Sequence, residues 1–363
     1  MSKAGTAAPG RVPGEIGERI RQGIRSGRFP AGKLLPGLRS LSRKHRVALV
    51  TMQRAMSHLA SQGLVAAEPR RGYRVLGGPA DAEKSRPLAY VAALEGGPRR
   101  WNPLHQRLLA AFQEAAQARG WAMLGVGSEE REQAAVMRQV AGARAWGLIL
   151  DVVDPGLLEM ARASGLPAVM VDAWVEDAGI DAVVQDGYQG GLLAAAHLAA
   201  CGHRRVAWLG PTTQSAHSLA RLGGATVGLL RAGIELGPEL RVEASGADIR
   251  DRARALLSRA DRPTAVIALW QWAAAGLAAA ARELGLVPGR DFELVGWCTE
   301  EEFLAEYRPA FAGGPVPPTL VWSIRAMAEL AVSRLVERRA NPGLLPVRIN
   351  VPVALRVGDG RGR

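Results

Sequence analysis

The sequence predicts a chain of two unlike parts: a small basic module of helices and one hairpin, followed by a large α/β domain built on parallel strands. Three observations predict it. The excess positive charge is confined to residues 1–75, where 15 Lys and Arg stand against 3 Asp and Glu, while the remaining 288 residues hold 31 of each. Apolar residues in that first stretch recur at helical spacing. Beyond residue 87 the pattern changes to short apolar runs separated by longer amphipathic stretches, the strand–helix alternation of an open parallel sheet.

Each element follows from its residues. Positions 1–12 are small and polar, and are expected to be disordered. Pro13 suits the first turn of a helix, and Ile16, Ile20 and Ile24 then recur every four residues as one apolar stripe. Gly27 and Pro30 end that helix, and Leu34 and Leu35 are expected to pack beneath it. Pro36–Gly37 makes a turn into a short helix reaching about Lys44. A second helix runs from about Ala48 to Gln62, with Met52, Ala55, Met56 and Leu59 on one face and Leu49, Thr51, Gln53 and Arg54 on the other. Gly63 suits its C-terminus. Leu64–Val65 and Tyr73–Val75 can pair as a hairpin with Arg70, Arg71 and Gly72 at the tip, placed to reach phosphate or the minor groove. Two short helices and a basic hairpin outline a winged helix-turn-helix that docks on duplex DNA.

Residues 77–87 form a polar Gly/Pro-bearing linker, so the expected modules are 13–76 and 88–357. In the large module LAYVAAL, WAMLGVG, WGLILDV, PAVMVDA, DAVVQD, RRVAWLG, TAVIALW and FELVGW read as strands. Helices are expected between them, including 104–119 with Leu104, Leu108, Leu109, Phe112 and Ala115 on a face. Ligands of such sheets bind outside the carboxyl ends of the strands.

Composition excludes several classes. No apolar run reaches 18 residues, which argues against a membrane span, and the N-terminus lacks the apolar core of a signal peptide. Cys201 and Cys298 are the only cysteines, so no disulfide framework is implied and a reducing cytoplasm is the expected location. No G-x-S-x-G, phosphate loop with Lys, or H-E-x-x-H occurs. Asp151 and Asp172 end strands without an acid–base partner evident in the sequence, so no enzyme and no cofactor are expected. His197, Cys201 and His203 span a helix end at a spacing that reads better as a helix-to-strand turn than as a metal site. The basic field of the first module is suited to a polyanion, whose counterions its cations would release.

At the residues IRSGRFPAGKLLPGLRSLSRKHRVALVTMQRAMSHLASQGLVAAEPRRGYRV the chain resembles the DNA-binding domain of the GntR family of bacterial transcription regulators. Ile24, Gly27, Gly32, Leu35, Pro36, Arg39, Leu41, Val47, Thr51, Ala55, Leu59, Gly63, Leu64, Arg70 and Gly72 carry the match. The resemblance implies phosphate- and base-contacting roles for Arg39 and Arg71, and recognition-helix contacts from about Ala48 to Arg54. Three positions depart. Ala48 stands where the family caps the recognition helix with Ser, a loss of roughly 1 kcal/mol of capping. Leu49 replaces an Arg and offers an apolar contact instead, and Gly37 replaces Ser. An operator unlike a typical family site, or a lower affinity, is expected.

The segment DAVVQDGYQGGLLAAAHLAACGHRRVAWLG resembles the effector-binding domain of the LacI family, related to periplasmic sugar-binding proteins. Pro167 to Asp172, Arg221 with Gly224, RPTAVIAL, ARELGLVPGRDFELVGW and the closing segments 317–335 and 344–357 extend the match. The resemblance implies a two-lobed periplasmic-binding-protein-like (type I) fold crossed three times by the chain. One lobe is expected at about 87–184 and 318–340, the other at about 185–310 and 343–357. It also implies a homodimer on a palindromic operator, a small-molecule effector in the cleft, and action as a ligand-responsive repressor. A GntR-type reader joined to a LacI-type sensor is an arrangement found among carbohydrate-responsive repressors.

The family's ligand Arg falls on Arg221, whose fork suits paired hydroxyls or a carboxylate. Its Asn-Asp pair has become Trp270–Gln271, and its G-F-D-D has become Gly296-Trp297-Cys298-Thr299. The acidic acceptors of sugar sites are missing at both places. Three readings stay open: a sugar, stacked on Trp270 or Trp297 with Gln271 donating; a nucleoside or an acid held by Arg221; or a cleft that has lost its ligand. Trp101 and His105 occupy the segment where the family places a pocket aromatic, although a core or domain-face role explains either equally well.

Overall fold

A computed structural model describes the chain except residues 1–12, 27, 31, 62–63, 69–70, 77–85, 94–102, 129–132, 152–153, 213–214, 312–313 and 359–363. The expected disorder of 1–12, the stops at Gly27 and Gly63, the tip residue Arg70, most of the linker and Trp101 lie outside the described residues. The chain divides into two units at Pro87–Leu88.

The head holds α1 (Pro13–Arg25), α2 (Leu38–His45), α3 (Leu49–Ser61) and a hairpin of β1 (Val65–Glu68) and β2 (Gly72–Val75). Ile16, Ile20 and Ile24 of α1 pack with Leu41 of α2 and with Met52, Ala55, Met56 and Leu59 of α3. The hairpin closes the core with Val65 opposite Val75, and Glu68 opposite Gly72. Gly72 takes φ 109, a conformation that side chains rarely adopt, so the turn into β2 needs glycine. Leu35 is buried, but Leu34 is 40% exposed. Successive side chains of an extended segment point to opposite sides, and Leu34 bridges Arg74 on the open edge of the hairpin.

The large unit contains two six-stranded sheets. The first has β3 (Leu88–Ala93), β4 (Met123–Ser128), β5 (Gly147–Asp151), β6 (Ala168–Val171), β7 (Asp181–Gln185) and β13 (Arg348–Val351), in the order β13-β7-β6-β5-β3-β4. Every described pairing in it is parallel. Its helices include α4 (Pro103–Gln117), α5 (Gln133–Gly142) and α6 (Pro155–Ala163). The second has β8 (Val206–Leu209), β9 (Arg241–Val242), β10 (Ala265–Ala268), β11 (Glu293–Thr299), β12 (Thr319–Trp322) and β14 (Ala354–Arg356), in the order β14-β12-β11-β10-β8-β9. With it go α7 (Gly187–Ala200), α8 (Ala216–Arg231), α9 (Ile249–Leu257) and α10 (Gln271–Glu283). Strands β5, β6, β7, β8, β10 and β12 are almost wholly buried, as near-continuous apolar runs require.

The chain crosses between the sheets at Asp186, at Ser323 and at 352–353. Two of these crossings correct the expected lobe limits. Residues 318–322 do not join the first lobe, because β12 pairs in parallel with β11. Residues 348–351 do not join the second, because β13 pairs with β7. Between the crossings at Ser323 and 352–353 the chain returns to the first lobe with α11 (Ile324–Ala340), which packs on α4 and β7, and then with β13. The limits escaped the sequence because neither TLVW, a buried run, nor RINV, which alternates exposed and covered positions, names its partner: pairing rather than pattern assigns a strand to a sheet.

Polar side chains fasten the crossings. The Asp186 carboxylate caps α7 through Gln189 N at 3.0 Å, and its backbone N–H donates to the Val351 carbonyl at 2.8 Å. Glu301 accepts from Ile324 N at 3.1 Å, Arg325 N at 3.0 Å and Ser323 Oγ at 3.0 Å, so its negative charge sits on the start of α11. Asp181, fully buried, is held by Arg334, by Arg338 and by Val347 N, which ties α11 and the return strand to β7.

Candidate DNA-reading and effector sites

In the head, Leu49, Val50, Gln53, Arg54, Ser57 and His58 form the exposed side of α3, and Thr51 is half-buried at its edge. Arg39 is exposed on α2, and Arg71 at the hairpin tip. Arg71 stands 3.8 Å from Glu68, an open surface contact of little strength. Arg74 is different: it pairs with Glu68 and donates to the Gly32 carbonyl, so its charge braces the wing. Glu68 is held below the usual carboxylate range by that Arg74 hydrogen bond. Exposed cations thus stand on α2, on α3 and at the hairpin tip, positions suited to phosphate.

The second site grows from helix packing. Helices α7 and α8 touch backbone to backbone. A Cβ on Gly224 would come within 2.0 Å of the Tyr188 carbonyl oxygen, and one on Gly190 within 2.3 Å of the Trp297 ring. These glycines press Arg221 against the end of β7 and leave room for Trp297 beside it. Arg221 is completely buried. Its guanidinium carbon lies 4.1 Å from the Trp270 ring centroid and 4.2 Å from that of Trp297, so the cation is stacked between two indoles. Trp270 holds its place with φ 75 and ψ 154, a strained conformation for a bulky residue that costs about 1–3 kcal/mol.

A hydrogen-bonded chain leads away from the stack. Arg221 Nη2 and Trp297 Nε1 both donate to Gln185 Oε1, the latter at 3.1 Å. Gln185 Nε2 donates to Asp172 Oδ1 at 2.9 Å. The His217 ring contacts the Asp172 carbonyl, lies 3.6 Å from its carboxylate, and meets Trp270 edge-on. Burial pulls the Arg221 pKa down to about 9, and the Asp172 charge opposes it, so the guanidinium stays protonated at neutral pH. Among the described residues, Arg221 Nε and Nη1 have no hydrogen-bond partner.

A cavity of about 530 Å³ opens beside this stack. Trp270, Gln271, Trp272, Trp297, Thr299 and Trp322 line it from the second lobe, and Pro103, Leu104 and Arg107 from α4 of the first. Arg107 forms ion pairs with Glu302 and Glu306 across the cavity, joining the lobes. Glu302 is also committed to Thr299 through a reciprocal cap.

Arg221, Trp270, Gln271 and Trp297 therefore come together at the cavity. The inner faces of both Trp rings are occupied by Arg221, and Trp297 is 1% exposed, so neither ring offers that face to a ligand. His105 corrects its expectation: it is buried with Nε2 3.4 Å from Asp151 and is not among the cavity-lining residues. Arg107, two residues and about half a turn further along α4, falls on the other side of the helix and lines the cavity. Asp151 also accepts from the Tyr90 hydroxyl at 2.7 Å. Sequence reasoning missed Arg107, Trp272, Thr299, Glu302, Glu306 and Trp322; the PLHQR and TEEEF segments are charged and helical, and only the closure of the lobes makes them neighbours. His203 contacts Thr264 at 3.1 Å and His197 contacts Cys201 at 3.8 Å, and the described residues contain no group of three that could hold a metal.

Two lobes, three crossings and a cavity between them define a small-molecule-binding domain carried behind a DNA-reading head. The chain belongs to the family of periplasmic binding proteins and sugar binding domain of LacI family, whose model matches residues 98–291, and its head matches the bacterial regulatory proteins of the gntR family over residues 14–75. It is similar to the ribose operon repressor of Haemophilus influenzae, 26% identical over 247 residues that span 66% of this chain and 72% of that protein. A regulatory protein of the LacI family from Chloroflexus aggregans shares its fold, with TM-score 0.66 at 21% identity, over 77% of this chain and 99% of that one. So does a transcriptional regulator CelR–cellobiose complex, with TM-score 0.64 at 20% identity, over 90% and 100%. With both matches and repressors among its relatives, the chain is a transcriptional regulator of this class rather than an enzyme, and works in the cytoplasm.

Proposed function

We propose that the chain is a homodimeric repressor that binds a palindromic operator through paired heads, and that a sugar in the interlobe cavity changes its operator affinity. The cavity carries the reading. It is roomy enough for a small sugar, it touches both lobes, and it joins indole faces on Trp272 and Trp322 to the polar groups of Gln271, Thr299, Arg107 and the two glutamates. Aromatic faces beside a few placed polar groups are what a sugar needs. Glu302 and Glu306 supply carboxylates that the sequence pattern lacked at Gln271 and Thr299. Ribose and cellobiose in the names of the similar proteins support the same class. A ligand touching both lobes favours one closure angle, and a dimer converts that angle into head spacing.

One observation favours a second reading. The unpartnered Nε and Nη1 of Arg221 suit an anion, so a small carboxylic acid is the alternative effector. Thermal melting of the full chain with ribose, cellobiose, nucleosides and small carboxylates separates them, because a ligand of the native state raises the melting temperature. The sugar reading requires a shift with a neutral sugar; shifts confined to carboxylates would replace it with the acid.

A further inference from the structure

We infer that Leu49 and Val50 read the 5-methyl groups of thymines, and that the operator carries thymines under the leading end of α3. The inference rests on the DNA-binding reading of the head and deepens it. On the exposed side of α3 the residues are sorted along the axis. Ala48, Leu49 and Val50 at the start are apolar, and Gln53, Arg54, Ser57 and His58 further along are polar. Leu49 is 37% exposed and Val50 58%, although the same helix buries Met52, Ala55, Met56 and Leu59 completely. Neither exposed side chain is needed for the core of the head.

Direction adds to position. Side chains of an α-helix lean toward its N-terminus, so those of the first turn project past the end of the helix. A recognition helix enters the major groove with its N-terminal residues on the base edges. In that groove an adenine–thymine pair differs from the others by one apolar group, the thymine methyl. A Leu and a Val there have no polar atom with which to read guanine or adenine. The surrounding field is strongly positive, with Arg39, Arg43, Lys44 and Arg54 exposed on the same two helices and Arg46 in the turn between them, which commits the surface to a polyanion rather than to a second apolar protein face. The cations set affinity and orientation, and the apolar pair sets sequence.

The test uses the full chain and duplexes enriched by it from random DNA at fixed salt. Each thymine of the enriched site is replaced in turn by uracil, which removes the methyl and keeps every hydrogen bond. One or two thymines per half-site should show Kd raised about fourfold each, the value for one buried methyl-sized group. In L49A/V50A, whose changes are at exposed positions of a helix, the same replacements should change Kd by less than about 1.5-fold, because the apolar partner is gone. Uracil duplexes that bind as well as thymine duplexes would overturn the inference. So would a penalty that persists undiminished in L49A/V50A, or an enriched site without thymine under α3. Enrichment of no duplex at all would remove the DNA-binding reading and this inference with it.

Discussion

Arg221 shows at the scale of one residue how much depends on what its neighbours lack. A buried guanidinium is costly unless something compensates for lost water. Here two indole faces and one amide oxygen do so, and the glycines of α7 and α8 make the room. Gly224 is the tightest of these contacts, since its missing Cβ would stand 2.0 Å from a carbonyl oxygen. Gly224→Ala should lower stability by about 1–3 kcal/mol, the usual cost of overpacking, through a forced separation of α7 and α8. Urea denaturation of the full chain measures it, and an unchanged midpoint would mean that the helices part without cost. The sequence displayed Arg221 and Gly224 together, and the segments that lack the family's acidic residues pointed to Trp270 and Trp297 beside them. It did not display the stack, because four residues from four elements make it and none is near another in the chain.

The elements that position the cleft were legible in unequal measure. Strands such as GLILD and AVMV announce themselves as apolar runs, and α3 by its four buried positions. The crossings did not, because neither the buried run TLVW nor the half-exposed RINV shows which sheet it joins. What ties α11 and the return strand to β7 is the polar clamp at Asp181. Burial pushes that carboxyl up, but hydrogen bonds from Arg338, Arg334 and Val347 N together hold it below the usual carboxylate range. A carboxyl lowered in the folded state stabilises the fold above its unfolded pKa, and that contribution is lost as pH falls through the folded value. Asp181→Asn should cost about 3 kcal/mol at neutral pH, where two arginines lose their charge partner. It should also flatten the fall in stability on the acid side of about pH 4. Melting curves from pH 7 downward test this, and an acid limb as steep in the variant as in the parent would place the acid sensitivity elsewhere.

For the whole molecule, the division of charge and the division of labour coincide: the head carries the entire net charge, and the large unit is balanced. The proposed function assigns DNA binding to an electrostatic term in the head and its adjustment to the neutral sensor. The cavity, with Arg107 reaching across it to Glu302 and Glu306, is where a small molecule can enter the balance between open and closed lobes. Fluorescence anisotropy of an enriched operator duplex tests that coupling most directly. The full chain and Arg221→Ala are titrated with and without the sugar or acid that raises the melting temperature. In the parent chain the ligand should change operator affinity by about tenfold or more, within the usual range of allosteric coupling, and in Arg221→Ala by less than about twofold. A ligand that binds yet leaves operator affinity unchanged in the parent chain would contradict the coupling, as would an Arg221→Ala chain that responds like the parent.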